Sequence, residues 1–243
     1  MLISPNQAIS ASKDAYVQAL APLQKDGKID SNPKLAKRVQ RVTGRIVAQA
    51  IKAYPHTKNW DWQIKVIDEP DTVNAWCMAG GRMAIYTGLI NKIKPTDDEL
   101  AQVMGHEVSH ALANHTAEKM SVAMLTKLGM GAVAIATDKK YRNYALQGAS
   151  LAAAVAVTLP NSRGAETEAD QIGIELAAKA GYDPKAAVSL WKKMGATGGK
   201  SPPEFLSTHP GPKSRQKKLS KLAKGLVDEY RNAGNPPGYS FKK

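Results

Sequence analysis

Apolar residues recur at helical spacing over residues 9–23 and again over 35–53, which predicts two helices at the start of the chain. Tyr54-Pro55 ends the second, because a residue before proline is pushed out of the helical region. Residues 63–67 alternate as a strand should, and 73–77 and 82–86 flank Ala79-Gly80-Gly81 like the arms of a hairpin. Next comes a helix start, with Thr96 able to cap and Glu99 three residues later as its capping-box partner. From Leu100 to about Met120 the apolar positions keep one helical face. Two segments rich in Ala, Gly and Val follow, 122–137 and 145–159, separated by a polar turn at 138–143. A helix is predicted from about Ala165 to a C-capping Gly181, and another from Pro184. A loop over 195–203 precedes a lysine-rich last helix from near Pro212 and a flexible tail at 234–243.

Together these elements predict a mainly α chain with a small antiparallel β-sheet (α+β) beside the helix that begins after Thr96. Residues 1–55 form an N-terminal helical segment and 56–233 the main domain. Segments 122–137 and 145–159 run about 15 residues each, short of the about 20 a membrane-spanning helix needs. Lys127 and Gln147 interrupt them, so they are expected to form a buried or site-covering helical hairpin.

Composition adds little to the fold. A chain of 243 residues, 43% hydrophobic and 23% charged, is long enough for one sizeable core and is not disordered or fibrous in type. Its formal net charge of +13 attracts anionic partners in general, whether nucleic acid, acidic lipid headgroups or acidic polypeptides, or marks a solvated basic face. With Cys77 as the one cysteine, no internal disulfide can form. Residues 1–12 lack the basic start and apolar run of a signal peptide. Either a cytoplasmic chain or a mature form with its targeting segment removed is expected.

The candidate chemistry lies in His106-Glu107-Val108-Ser109-His110, an H-E-x-x-H sequence inside a predicted helix. Positions i and i+4 share a face, so both imidazoles can reach one ion. Glu107 is rotated about 100° away, yet its side chain can reach a water on that ion and take its proton. A catalytic zinc needs a third protein ligand and one open position. A metzincin-like continuation would need Gly and His where the chain has Ala113 and Thr116. His115 is one place out of register, off the face of His106 and His110, and reads as a polar residue at a helix end. Between Lys119 and Ala165 the single acid is Asp138; Glu166, Glu168 and Asp170 then arrive together. Glu166 and Asp170 share a helix face and Glu168 points roughly opposite, so one carboxylate can bind the metal while a second holds a ligand histidine in its tautomer. His209 lies in a loop within Ser207-Thr208-His209-Pro210, followed by Arg215; loop position and spacing allow an oxyanion-stabilising role or an ordinary packing one.

These residues resemble a known family. His106 to His110, then Ser162-Arg163-Gly164-Ala165-Glu166-Thr167-Glu168-Ala169-Asp170 through Gly173, then Thr208-His209-Pro210 with Arg215, are similar to the zinc metallopeptidases related to the CAAX prenyl proteases, HtpX and Oma (gluzincin type). Asn74-Ala75-Trp76 through Ile90 resembles the strand region that precedes that family's active helix, and the likeness covers about residues 65–219. It implies a minimal zinc-peptidase core with one Zn²⁺ per chain on His106, His110 and Glu166, Glu107 as general base and Asp170 behind the ligands. It also implies that His209 and Arg215 face the metal, stabilising the oxyanion or, for His209, filling the open position at rest. Residues 82–86 would then be an edge strand that pairs with polypeptide substrates in extended conformation.

The chain is most similar to small soluble bacterial members of the cell envelope, which implies a periplasmic location, lipid anchoring in the precursor and peripheral contact with anionic membrane. The expected activity is hydrolysis of unfolded or misassembled envelope proteins; the alternative is a periplasmic chaperone-like module with little proteolysis, against which the intact Glu107 argues. No nucleic-acid partner is expected, because no stacking or groove-reading element accompanies the charge.

Overall fold

The computed structural model describes residues 1–129, 161–196, 204–209 and 212–242. Residues 130–137 and 145–159 of the two small-residue segments, with the turn between them, lie outside the described residues, as does most of the loop expected at 195–203. Among the described residues, no helix is long and apolar enough to cross a membrane.

Helix α1 (Pro5–Lys25) starts from a capping box in which the Ser4 hydroxyl accepts from Gln7 N–H and the Gln7 side chain accepts from Ser4 N–H. Helix α2 (Pro33–Ala53) is capped by Asn32, whose side chain accepts from Leu35 N–H. Strands β1 (Gln63–Ile67), β2 (Ala75–Met78) and β3 (Arg82–Tyr86) follow. The hairpin β2–β3 turns at Gly80 and Gly81, both at positive φ, and a Cβ on Gly81 would fall 2.4 Å from the Trp62 ring.

The sheet differs from expectation in one respect. Its order is β1-β3-β2, with β2 antiparallel to β3 but β1 parallel to it, so the small sheet is mixed. Strand β3 is therefore central and cannot offer an edge to a substrate. Its first four residues are all buried, as a strand covered on both faces requires. The outer strand on the side of the site is β2.

Helix α3 (Thr87–Ile93) leads to α4 (Asp97–Leu112), where the predicted capping box is present: Thr96 Oγ1 accepts from Glu99 N–H and Glu99 Oε2 from Thr96 N–H. Every residue from Glu99 to Leu112 is buried, so α4 is the axis of the molecule, packed by α2, β2 and the helices that follow. The helix expected to continue to Met120 breaks at Ala113-Asn114, and α5 (His115–Gly129) starts afresh. Asn114 sits in the left-handed region at φ 59°, a conformation that a short polar side chain tolerates and apolar periodicity does not register.

Helix α6 (Arg163–Lys179) is capped by Ser162, whose hydroxyl accepts from Ala165 N–H. Helices α7 (Ala186–Ala196), α8 (Glu204–Thr208), α9 (Pro212–Gly225) and α10 (Val227–Ala233) complete the described chain. Residues near the end lie along α2, where Tyr239 N–H donates to Gly44 O at 2.8 Å. One apolar cluster joins Val42 and Ile46 of α2, Met83 and Ile85 of β3, Leu100 and Met104 of α4, Ile174 of α6 and Trp191 of α7. Each such fully buried side chain contributes about 1.5–3 kcal/mol.

Helices α4 and α6 meet backbone to backbone. A Cβ on Gly173 would lie 2.8 Å from Gly105 C and His106 N, and one on Gly105 would lie 2.7 Å from Gly173 O. No flexible side chain can yield at either place, so Gly173→Ala must push the helices apart. The expected cost is about 1–3 kcal/mol, read from the denaturant midpoint. At Gly225 no described atom lies within 4 Å of the built Cβ, and Gly225→Ala serves as the neutral control. Equal stability of the two variants would refute the close crossing.

Candidate metal centre

The Gly105–Gly173 contact holds α6 against α4, and Glu166 in the first turn of α6 meets the buried rings of His106 and His110. His106 and His110 stand one turn apart with their Nε2 atoms 3.0 Å from each other. Glu166 enters from α6, its Oε2 3.5 Å from His106 Nε2 and its Oε1 3.4 Å from His110 Nε2. His209 arrives just after α8, with ring centroids 5.1 Å and 5.4 Å from those of His106 and His110. One ligand atom from each of these four buried residues lies within 4.8 Å of the others. Glu107 is also buried, its Oε1 3.4 Å from His209 Nε2.

These residues fit a divalent ion. Glu166 Oε1 and Glu107 Oε1 are buried without a hydrogen-bond partner among the described residues, a condition that costs about 1–3 kcal/mol per group. Two imidazole nitrogens and a carboxylate oxygen are the donor set zinc takes in catalytic sites.

Behind the cluster, Asp170 Oδ1 lies 3.2 Å from His106 Nδ1. Arg215 donates from Nε to Asp170 Oδ2 at 2.7 Å, from Nη2 to Asp170 Oδ1 and from Nη1 to Glu166 Oε2. Its guanidinium also stacks 3.9 Å above the Trp191 ring. Arg215, expected to face the metal, lies against both carboxylates and within 3.4 Å of His106 Nδ1.

The buried charges perturb one another. Burial works against the imidazolium of His106, but Asp170 and Glu166 outweigh it and raise that group to about 9. Burial lowers His110 to about 3 and takes His209 well below the usual histidine range. For Glu166 burial pushes upward, yet the facing imidazoles of His106 and His110 hold its carboxyl well below the carboxylate range. Burial raises Glu107 to about 8, a value suited to proton transfer near neutrality.

A narrow cleft opens beside Glu107, lined by Asn74, Trp76, Cys77, Lys119, Asn161 and His209 among others. Several of these escaped sequence reasoning. Asn161 N–H donates to Thr208 O, and its Nδ2 comes within 3.4 Å of His110 Nε2 while its Oδ1 has no partner among the described residues. His115, read as a helix-end residue off the site, is 3% exposed and puts its Nδ1 2.8 Å from His110 Nδ1. Glu168 reaches His115 Nε2 at 3.3 Å. The helix break at Asn114 swings His115 back to α4, and a helical wheel carried through that break misplaces it. The sequence signal for the break was the asparagine itself.

A mainly helical chain whose H-E-x-x-H helix meets a glutamate from a second helix defines a class, the zinc-binding H-E-x-x-H metallopeptidases. The chain belongs to peptidase family M48, whose sequence model matches residues 33–223. The match reaches back over α2, beyond the likeness read from the motifs. An Arabidopsis thaliana protein named mitochondrial metalloendopeptidase OMA1 is 38% identical over 173 residues, 71% of this chain and 34% of that protein. The Schizosaccharomyces pombe protein of the same name is 32% identical over 212 residues, 86% of this chain and 58% of that one. The beta-barrel assembly-enhancing protease of Escherichia coli K12 is 30% identical over 212 residues, 83% of this chain and 41% of its own length. The chain thus spans between 34% and 58% of these relatives.

Proposed function

We propose that the chain is a zinc-dependent endopeptidase of the bacterial periplasm or cell envelope that hydrolyses unfolded or misassembled envelope proteins. The observation that carries this is the buried convergence of His106, His110 and Glu166 with Glu107 beside them. The name of the Escherichia coli relative supports the choice of substrate class.

His106, His110 and Glu166 would hold one zinc ion, with Asp170 and Arg215 fixing the ligands from behind. Bound zinc supplies Lewis acidity and lowers the pKa of a water toward about 7. Glu107 takes the proton at its carboxylate and passes it to the leaving amine. His209 would either donate to the oxygen where charge develops or occupy the site at rest. An extended substrate pairs with the outer edge of β2, whose Trp76 lines the cleft together with Asn74 just before the strand. The exposed lysines 217, 218, 221 and 224 of α9 suit peripheral contact with anionic membrane.

Metal analysis paired with casein digestion tests this. About one zinc per chain and cleavage abolished by chelator are expected. A metal-free protein, or cleavage indifferent to chelator, would overturn it. In the same assay, His209→Ala lowers the rate about 10²-fold or more if the histidine stabilises the oxyanion, and raises it if the histidine plugs the site.

A further inference from the structure

We infer that His115 is a positioning residue for the ligand His110, and that Glu168 orients His115 in turn; this rests on the zinc reading of the site. His110 can offer Nε2 to a metal only if its proton sits on Nδ1, and Nδ1 faces His115 Nδ1 at 2.8 Å. Between two imidazole nitrogens at that distance, one must carry the hydrogen and the other the lone pair. For two neutral rings there are two arrangements, and they have opposite consequences.

In the first, His110 Nδ1–H donates to His115 Nδ1. The His115 proton then lies on Nε2, pointing at Glu168 Oε2 3.3 Å away, and His110 Nε2 is bare. In the second, His115 Nδ1–H donates to His110 Nδ1. His110 Nε2 then carries a hydrogen aimed at His106 Nε2, 3.0 Å away, and cannot ligate. The bare His115 Nε2 would also face a carboxylate, lone pair to lone pair. Glu168 therefore selects the arrangement that leaves His110 competent.

His106 has the same kind of support, with Asp170 Oδ1 3.2 Å from its Nδ1. Both ligand imidazoles are thus oriented from behind, His106 by a carboxylate directly and His110 through a second histidine. Glu168 is 59% exposed, so water can take over part of its role, whereas His115 is 3% exposed and has no such substitute.

The test is the zinc affinity of the full chain, measured by competition with a chromophoric chelator on His115 variants. Asparagine places its carbonyl oxygen where His115 has Nδ1 and can accept from His110. Glutamine places its polar group nearer the Nε2 position and cannot. His115→Ala and His115→Gln are expected to weaken zinc binding about 10–100-fold, with His115→Asn recovering most of that loss. A residue that merely fills space would not separate asparagine from glutamine in this direction. Equal affinity for the parent and all three variants, or equal loss in all three, overturns the assignment. A parent chain that binds no zinc would instead sink the metal-site reading itself. Should the alanine variant fail to fold, as circular dichroism would show, the asparagine and glutamine pair decides alone.

Discussion

Replacing Glu107 with glutamine is expected to slow peptide hydrolysis by about 10²–10⁴-fold while zinc content stays at the parent level. The side chain is buried and 3.4 Å from His209, and its Oε1 has no hydrogen-bond partner among the described residues. Burial raises its carboxyl to about 8, so it can hold a proton and release it within the working pH range. Glutamine matches the shape and cannot accept that proton. The variant exchanges a buried carboxyl for a neutral amide that can keep the contact with His209, so it should unfold at the parent's denaturant concentration or above it. Parent-level kcat/KM in this variant would remove Glu107 from the mechanism. A normal zinc content with no cleavage would turn the variant into a trap for bound substrates.

Removing the guanidinium of Arg215 should have the largest effect on stability. Glu166 and Asp170 are buried, both carboxyls are held below the usual range, and Arg215 bonds to each of them. Arg215→Ala leaves two carboxylates facing each other in the interior, and breaking such a pair costs about 3–5 kcal/mol. It also empties the face of Trp191, where a desolvated cation is worth about 2 kcal/mol. These two terms overlap and do not sum. Arg215→Lys should recover only part of the loss, because a point charge cannot bridge both carboxylates as the planar fork does. Zinc should restore stability to the alanine variant by neutralising Glu166, and chelator should remove that gain. A loss below about 1 kcal/mol in urea unfolding would show that Arg215 does not hold the two acids together.

Much of the site was legible because its key spacings are local. His106 and His110 share a face in any helix, and the capping box at Thr96 and Glu99 gives that helix its start wherever it lies. Glu166 and Asp170 could be paired for the same reason, and Ser162 marks the first turn of their helix. The position of Arg215 was legible only as a number in a motif. That its charge meets both Glu166 and Asp170 depends on where α9 packs against α6 and α7.

The chain alone determined most of the described helices and the hairpin, and which residues on them could reach a metal, because periodicity and capping act within a few residues. The tertiary structure decided the rest. It made the sheet mixed by laying β1 alongside β3, a pairing between distant segments that leaves no mark on either strand's own pattern. It broke the helix at Asn114, where a left-handed residue costs only about 1–2 kcal/mol and packing can outweigh it, and so carried His115 to the back of His110. It pressed Gly105 against Gly173, and that contact, invisible to any count along the sequence, sets the distance between the two histidines and their glutamate.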